Sequence, residues 1–131
     1  MGHIHIGYDN PEMSTNIEIV KAMDLFLGVP SILLDTDTER RKLYGKAGAF
    51  RPKSYGVEYR TLSGFWIAND ELIAWAFNNA LEALKHVNNG NIISEDKAVM
   101  IQDCINTGNE DIANRLIDEF NININRELCV V

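Results

Sequence analysis

The sequence predicts a single α+β domain in which a small antiparallel sheet packs against helices. Short alternating stretches near residues 2–7, 48–52 and 56–62 read as strands, and longer stretches with apolar residues three and four apart read as helices. A chain of 131 residues buries roughly two-thirds of its surface on folding, enough for one core. Hydrophobic residues make up 46% and charged residues 24%, a globular balance that excludes a disordered tail.

The first strand is His3-Ile4-His5-Ile6, closed by Gly7. Alternation puts His3 and His5 on one face and Ile4 and Ile6 on the other. After Asn10-Pro11, Ser14 and Thr15 are cap residues for a helix over about 14–28, with Glu18 in capping-box position behind Thr15. Gly28 and Pro30 mark its end or a kink. Residues 31–35 fit a strand or a buried helix, and 36–43 a short charged helix. Gly56, Val57, Tyr59 and Thr61 place the last strand, paired with 48–52 as a hairpin. Helical spacing resumes over 69–88, again from Ser94, and from an Asn109 cap to about Phe120. The Asn/Ile alternation at 121–125 fits an edge strand or a frayed end. Cys104, Trp66 and Trp75 are expected in the core. The outcome is a β-rich N-terminal half and a helical C-terminal half.

No apolar run approaches the roughly 18 residues of a membrane span, and the N-terminus lacks signal-peptide character. Two cysteines do not make a disulfide scaffold, so a reduced intracellular setting is expected. The chain carries 12 basic and 19 acidic residues, a net charge of −7, which argues against a general nucleic-acid binder. Seven of the basic residues lie between Arg40 and Arg60, where Glu58 is the one acid. A basic patch on an acidic protein suits a small anionic ligand.

Three groups of residues carry possible chemistry. His3 and His5 can chelate a cation or, protonated, bond an anion; the spacing alone favours one exposed and one core-satisfied histidine. Arg40, Arg41, Lys46 and Arg51 stand among glycines that let backbone N–H groups approach phosphate oxygens; an ordinary solvated basic helix and turn fits as well. Glu58 and Arg60 share a strand face, either as a surface pair of little worth or as a metal ligand beside a carboxylate-binding guanidinium.

Taken in order, Gly-His-Ile-His-Ile-Gly, Arg-Arg-Lys-Leu-Tyr-Gly-Lys-Ala-Gly-Ala-Phe-Arg and Tyr-Gly-Val-Glu-Tyr-Arg-Thr-Leu-Ser resemble the C-terminal part of phage-type carboxylate–amine ligases of the glutamine synthetase superfamily. The resemblance covers roughly residues 2–85; residues 89–131 look like a helical extension that matches nothing. It implies a glutamine-synthetase-like half domain and ATP-driven joining of a carboxylate to an amine with Mg2+, in the cytoplasm of a phage-infected cell. It assigns His3 and Glu58 to metal, His5, Arg40, Arg41 and Lys46 to the nucleotide phosphates, and Arg51 and Arg60 to catalysis. In the family, strands with further metal-binding glutamates precede the histidine strand, whereas this chain begins on it. The expectation is therefore half of a site, completed by a protein partner or by oligomerisation, with no membrane involved. The alternative is a small acidic phage protein, without catalysis, that binds or inhibits a host protein.

Overall fold

The structure, a computed structural model, describes residues 2–35 and 45–130. The helix expected over 36–43, with Arg40 and Arg41, lies outside the described residues. Three strands, β1 (Ile4–Gly7), β2 (Phe50–Lys53) and β3 (Gly56–Tyr59), form one antiparallel sheet in the order β1-β3-β2. The helices are α1 (Met13–Met23), α2 (Val29–Leu34), α3 (Asp70–Asn88), α4 (Glu95–Thr107) and α5 (Glu110–Phe120). The α+β class holds. The expected division into a β-rich and a helical half does not, because residues 13–34 are helical.

That early helix departs from expectation at both ends. It starts at Met13 with Glu12 in the cap position, so Ser14 and Thr15 lie inside the first turn. The Tyr8 hydroxyl takes over the capping role, accepting from the Glu12 N–H at 3.2 Å and donating to the Asn16 side chain. At the other end Gly28 and Pro30 do not stop the chain. Asp24–Gly28 widens into a π turn and the helix resumes as α2, with Pro30 in its first turn. The helix is continuous there, with Val29 N–H donating to the Asp24 carbonyl, and Pro30, which has no N–H, follows directly on the widened turn. Residues 31–34 are therefore buried helix and not strand. Gly28 lies close to α4: a Cβ would stand 2.6 Å from Ile105 Cδ1, and that side chain would have to shift to admit it.

The later helices begin at the expected positions. Asn69, Ser94 and Asn109 each accept a backbone N–H three residues on. Residues 121–125 form neither a strand nor a frayed end but a connection into a short 3-10 turn, Arg126–Leu128. Asn79, fully buried on α3, donates its amide to the Phe26 carbonyl at 2.8 Å and to the Asn123 carbonyl at 2.9 Å. One side chain thus satisfies a carbonyl of the π turn and ties the C-terminal segment to it.

The core joins the two parts. Ile6, Val57 and Tyr59 meet Val20, Met23 and Leu27 of the early helix, and the same cluster continues to Ile105 and Leu116. The early helix covers the sheet's apolar face, while α3 packs on α1 and passes along β1. Trp75 and Cys104 are buried as expected; Trp66 is only half-buried. No helix among the described residues is long and apolar enough to cross a membrane.

Candidate functional site: a cationic sheet face around Glu58

Register decides which side chains meet. His5 pairs with Glu58 across β1–β3, and Arg51 pairs with Glu58 across β2–β3. Directly opposed residues point to the same side, as do residues two apart. His3, His5, Arg51, Lys53, Glu58 and Arg60 therefore share the face opposite the apolar one.

Glu58 is at the centre and only 5% exposed. Its Oε1 lies 3.0 Å from His3 Nδ1 and 3.0 Å from Arg60 Nη1, and its Oε2 lies 3.3 Å from Lys53 Nζ. Burial opposes ionisation of this carboxyl, but the Lys53 hydrogen bond and charge, then Arg60 and His3, outweigh it and hold its pKa below the ordinary value. His3 moves down as well, through its own burial and then the Arg60 charge, which prevail over the attraction of Glu58. At neutral pH its ring is accordingly neutral beside an ionised Glu58.

The site residues named from sequence separate into groups. His3, Glu58 and Arg60 come together. His5 is on the same face, but its ring stacks against Tyr55 at 5.9 Å between centroids and bonds the Tyr55 hydroxyl. Arg51 is exposed opposite Glu58 and outside its ion pairs. Lys46 is exposed on the turn before β2 and takes no part in those pairs; its carbonyl accepts from Thr61 Oγ1 at 2.9 Å. Lys53 was missed. The signal was the two-residue turn at Ser54-Tyr55, which sets a register placing Lys53 beside Glu58.

Asp24 was missed too. It lies in the π turn on the other side of the sheet, 4% exposed, with the Tyr59 hydroxyl donating to its Oδ1 at 2.7 Å. Burial pushes its pKa up to about 7, against hydrogen bonds from Tyr59, the Gly48 N–H and Thr61. An acid inside the run Met23 to Leu27 was the sequence signal. The same burial, with Asp24 beside it, raises the Tyr59 phenol well above its usual value.

A family described as phage phiEco32-like COOH.NH2 ligase, type 2, matches residues 1–125. The chain belongs to that family. No curated protein and no solved structure matches it. The ligase match runs well beyond residue 85, where the motif resemblance ends, so α4 and α5 fall inside the family region and are not an unrelated addition.

Do the residues of this ligase-family chain fit a divalent metal? His3 and Glu58 supply donors, but no group of three or more His, Cys, Asp or Glu side chains among the described residues could hold a metal ion. Lys53 and Arg60 already satisfy the Glu58 oxygens, and their charges oppose a cation there. By themselves these residues do not fit Mg2+. Arg51, Lys53 and Arg60 against one carboxylate leave an excess of positive charge, which suits phosphate or carboxylate oxygens.

Proposed function

We propose that the chain is a partial module of an ATP-dependent carboxylate–amine ligase, supplying a half-site for phosphate and carboxylate oxygens that a partner chain completes. The carrying observation is the cluster in which His3, Lys53 and Arg60 converge on a buried Glu58, with Arg51 and His5 in the same rows. Acyl-phosphate chemistry concentrates negative charge on phosphoryl oxygens, and preorganised cations aimed at those oxygens lower the barrier most. Arg60 and Arg51 are the residues assigned to that stabilisation. His5 and Lys46, with Arg40 and Arg41 of the segment outside the described residues, are assigned to the phosphates. Mg2+ and ATP are the cofactors of the completed site, with the metal's ligands supplied by the partner, since Lys53 and Arg60 already hold the Glu58 oxygens.

Glu58 fixes the cations in this arrangement. Its carboxylate keeps Lys53 and Arg60 on one face, so their geometry is set before a ligand arrives. A ligand oxygen competes for Arg60, and Glu58 then retains His3 and Lys53.

Titration calorimetry of the isolated chain with magnesium and ATP tests the half-site. The expected result is weaker than micromolar affinity and no phosphate release when amino acids are added. Sub-micromolar binding, or phosphate release, contradicts the reading and makes the chain a complete enzyme.

One observation favours a second reading. Arg60 and Glu58 pair with each other at 3.0 Å, as expected where charges serve the fold alone. In that case the chain is a non-catalytic phage protein that binds a host protein.

A further inference from the structure

We infer that the cleft between β1 and α3 receives the apolar end of the acyl substrate, a carboxylate held at Arg60 whose other end is a hydrocarbon group the size of a benzene ring. The inference rests on the reading of the Arg60 face as a half-site for carboxylate and phosphate oxygens, and it names the substrate class of that site.

Register puts the cleft beside the anion site. Ile4 pairs with Tyr59, so the next pair in the antiparallel order sets His3 opposite Arg60. Both side chains reach the same oxygen, Glu58 Oε1, each at 3.0 Å. His3 Nδ1 and Arg60 Nη1 can therefore be no further apart than twice that distance. The His3 ring is also part of the cleft wall. A ligand with one end on Arg60 has its other end at the cleft.

The lining selects what that other end is. Ala76 and Ala80, one turn apart on α3, are 1% and 6% exposed, and their small side chains leave the hollow. Ile4, Trp66 and Phe77 stand around it. The Trp66 indole N–H is committed to the Gly2 carbonyl at 3.2 Å, and the His5 ring to Tyr55. Among the described residues no lysine or arginine lines the space, so a second carboxylate would lose its water there without a cation in exchange. The volume is about 170 Å³. Apolar cavities of about 150 Å³ take benzene. Phe77, 66% exposed, and Trp66 offer ring edges and faces to an aromatic group.

The probe is phenylpropionate, titrated into the full chain and followed by amide NMR. Propionate lacks the ring, glutarate replaces it with a second acid, and phenylpropanol lacks the charge. Phenylpropionate is expected to bind about tenfold or more tighter than each of the three, the effect of burying one phenyl group or keeping one charged contact. Its shifts should fall at Ala76, Phe77 and Ala80. Phe77→Ser, an exposed change that leaves the core intact, is expected to weaken phenylpropionate severalfold and propionate not at all, whereas Arg60→Gln weakens both. Glycyl-phenylalanine reads the source: affinity equal to that of phenylpropionate assigns the group to a peptide's carboxyl end, and lower affinity to a free acid. Equal affinity for propionate and phenylpropionate, preference for glutarate, or shifts away from α3 would each overturn the inference, and none of these depends on a variant folding. The two readings fail separately. Pyrophosphate binding that is absent, or unmoved by Arg60→Gln, defeats the anion half-site; intact pyrophosphate binding with no preference for the phenyl group defeats the substrate class alone.

Discussion

Asp24→Asn is expected to make the protein more stable at pH 8, with the gain shrinking steadily as pH falls from 7 toward 4. In the folded chain the Asp24 pKa is about 7, and its ordinary value is 3.8. Between those values the folded state binds a proton that the unfolded state releases, so stability falls as pH rises through the window and levels off above it. The gap corresponds to on the order of 4 kcal/mol, the cost of an ionised carboxylate held in the core by Tyr59 and Thr61. Asparagine keeps an acceptor for the Tyr59 hydroxyl and never ionises. Melting curves between pH 5 and 8 check this: the parent should lose roughly 10 °C across the range, and the variant should stay flat. Glu58 has the opposite sign, since its lowered pKa contributes stability that is lost only as pH falls below its ordinary 4.5. The two groups act in different windows. Parallel pH profiles for parent and variant would show that Asp24 is not the titrating group.

Gly56→Ala is expected to destabilise by about 3 kcal/mol or more. Gly56 has φ +152°, and a Cβ there would stand 2.1 Å from the Ile6 carbonyl oxygen. Backbone must move, and the strand that moves is β1, which carries His3. The change should therefore cost anion affinity along with stability. Gly7, directly opposite in register, is the matched control. A Cβ there meets its nearest atom, the Tyr55 carbonyl oxygen, at 3.6 Å, an ordinary contact, so Gly7→Ala should change the melting temperature little. Equal effects from the two substitutions would mean that the β1–β3 approach is looser than the register implies.

What could be read from the sequence follows from how local each signal is. The parity of a strand is local, so His3 with His5 and Glu58 with Arg60 could be placed on common faces from alternation alone. Asn69, Ser94 and Asn109 cap their own helices through bonds three residues long, and those starts were legible too. The partnership of Lys53 with Glu58 depends on cross-strand register, which a two-residue turn sets and composition does not. The π turn was hidden for a different reason. Its wider winding buries all of Asp24–Gly28, a pattern that 3.6-residue spacing does not produce, and Pro30 read as a stop because in most helices it is one. The cap at Glu12 was hidden because its partner, Tyr8, belongs to the segment before the helix. The neutral state favoured for Asp24 follows from tertiary burial and leaves no local trace beyond an acid among apolar neighbours.

The claim at the centre of this account is that the charges around Glu58 are arranged for an anionic ligand. Pyrophosphate titration of the parent and of Arg60→Gln, with a melting curve for each, tests it most directly. Arg60 is one of three groups bonded to Glu58, so its loss leaves the His3 ring and the Lys53 cation in place. The account predicts weaker pyrophosphate binding by about 1.5–3 kcal/mol, the range for a hydrogen bond to a charged group, with little change in melting temperature. A lower melting temperature with unaltered pyrophosphate affinity would contradict it and assign the cluster to the fold alone.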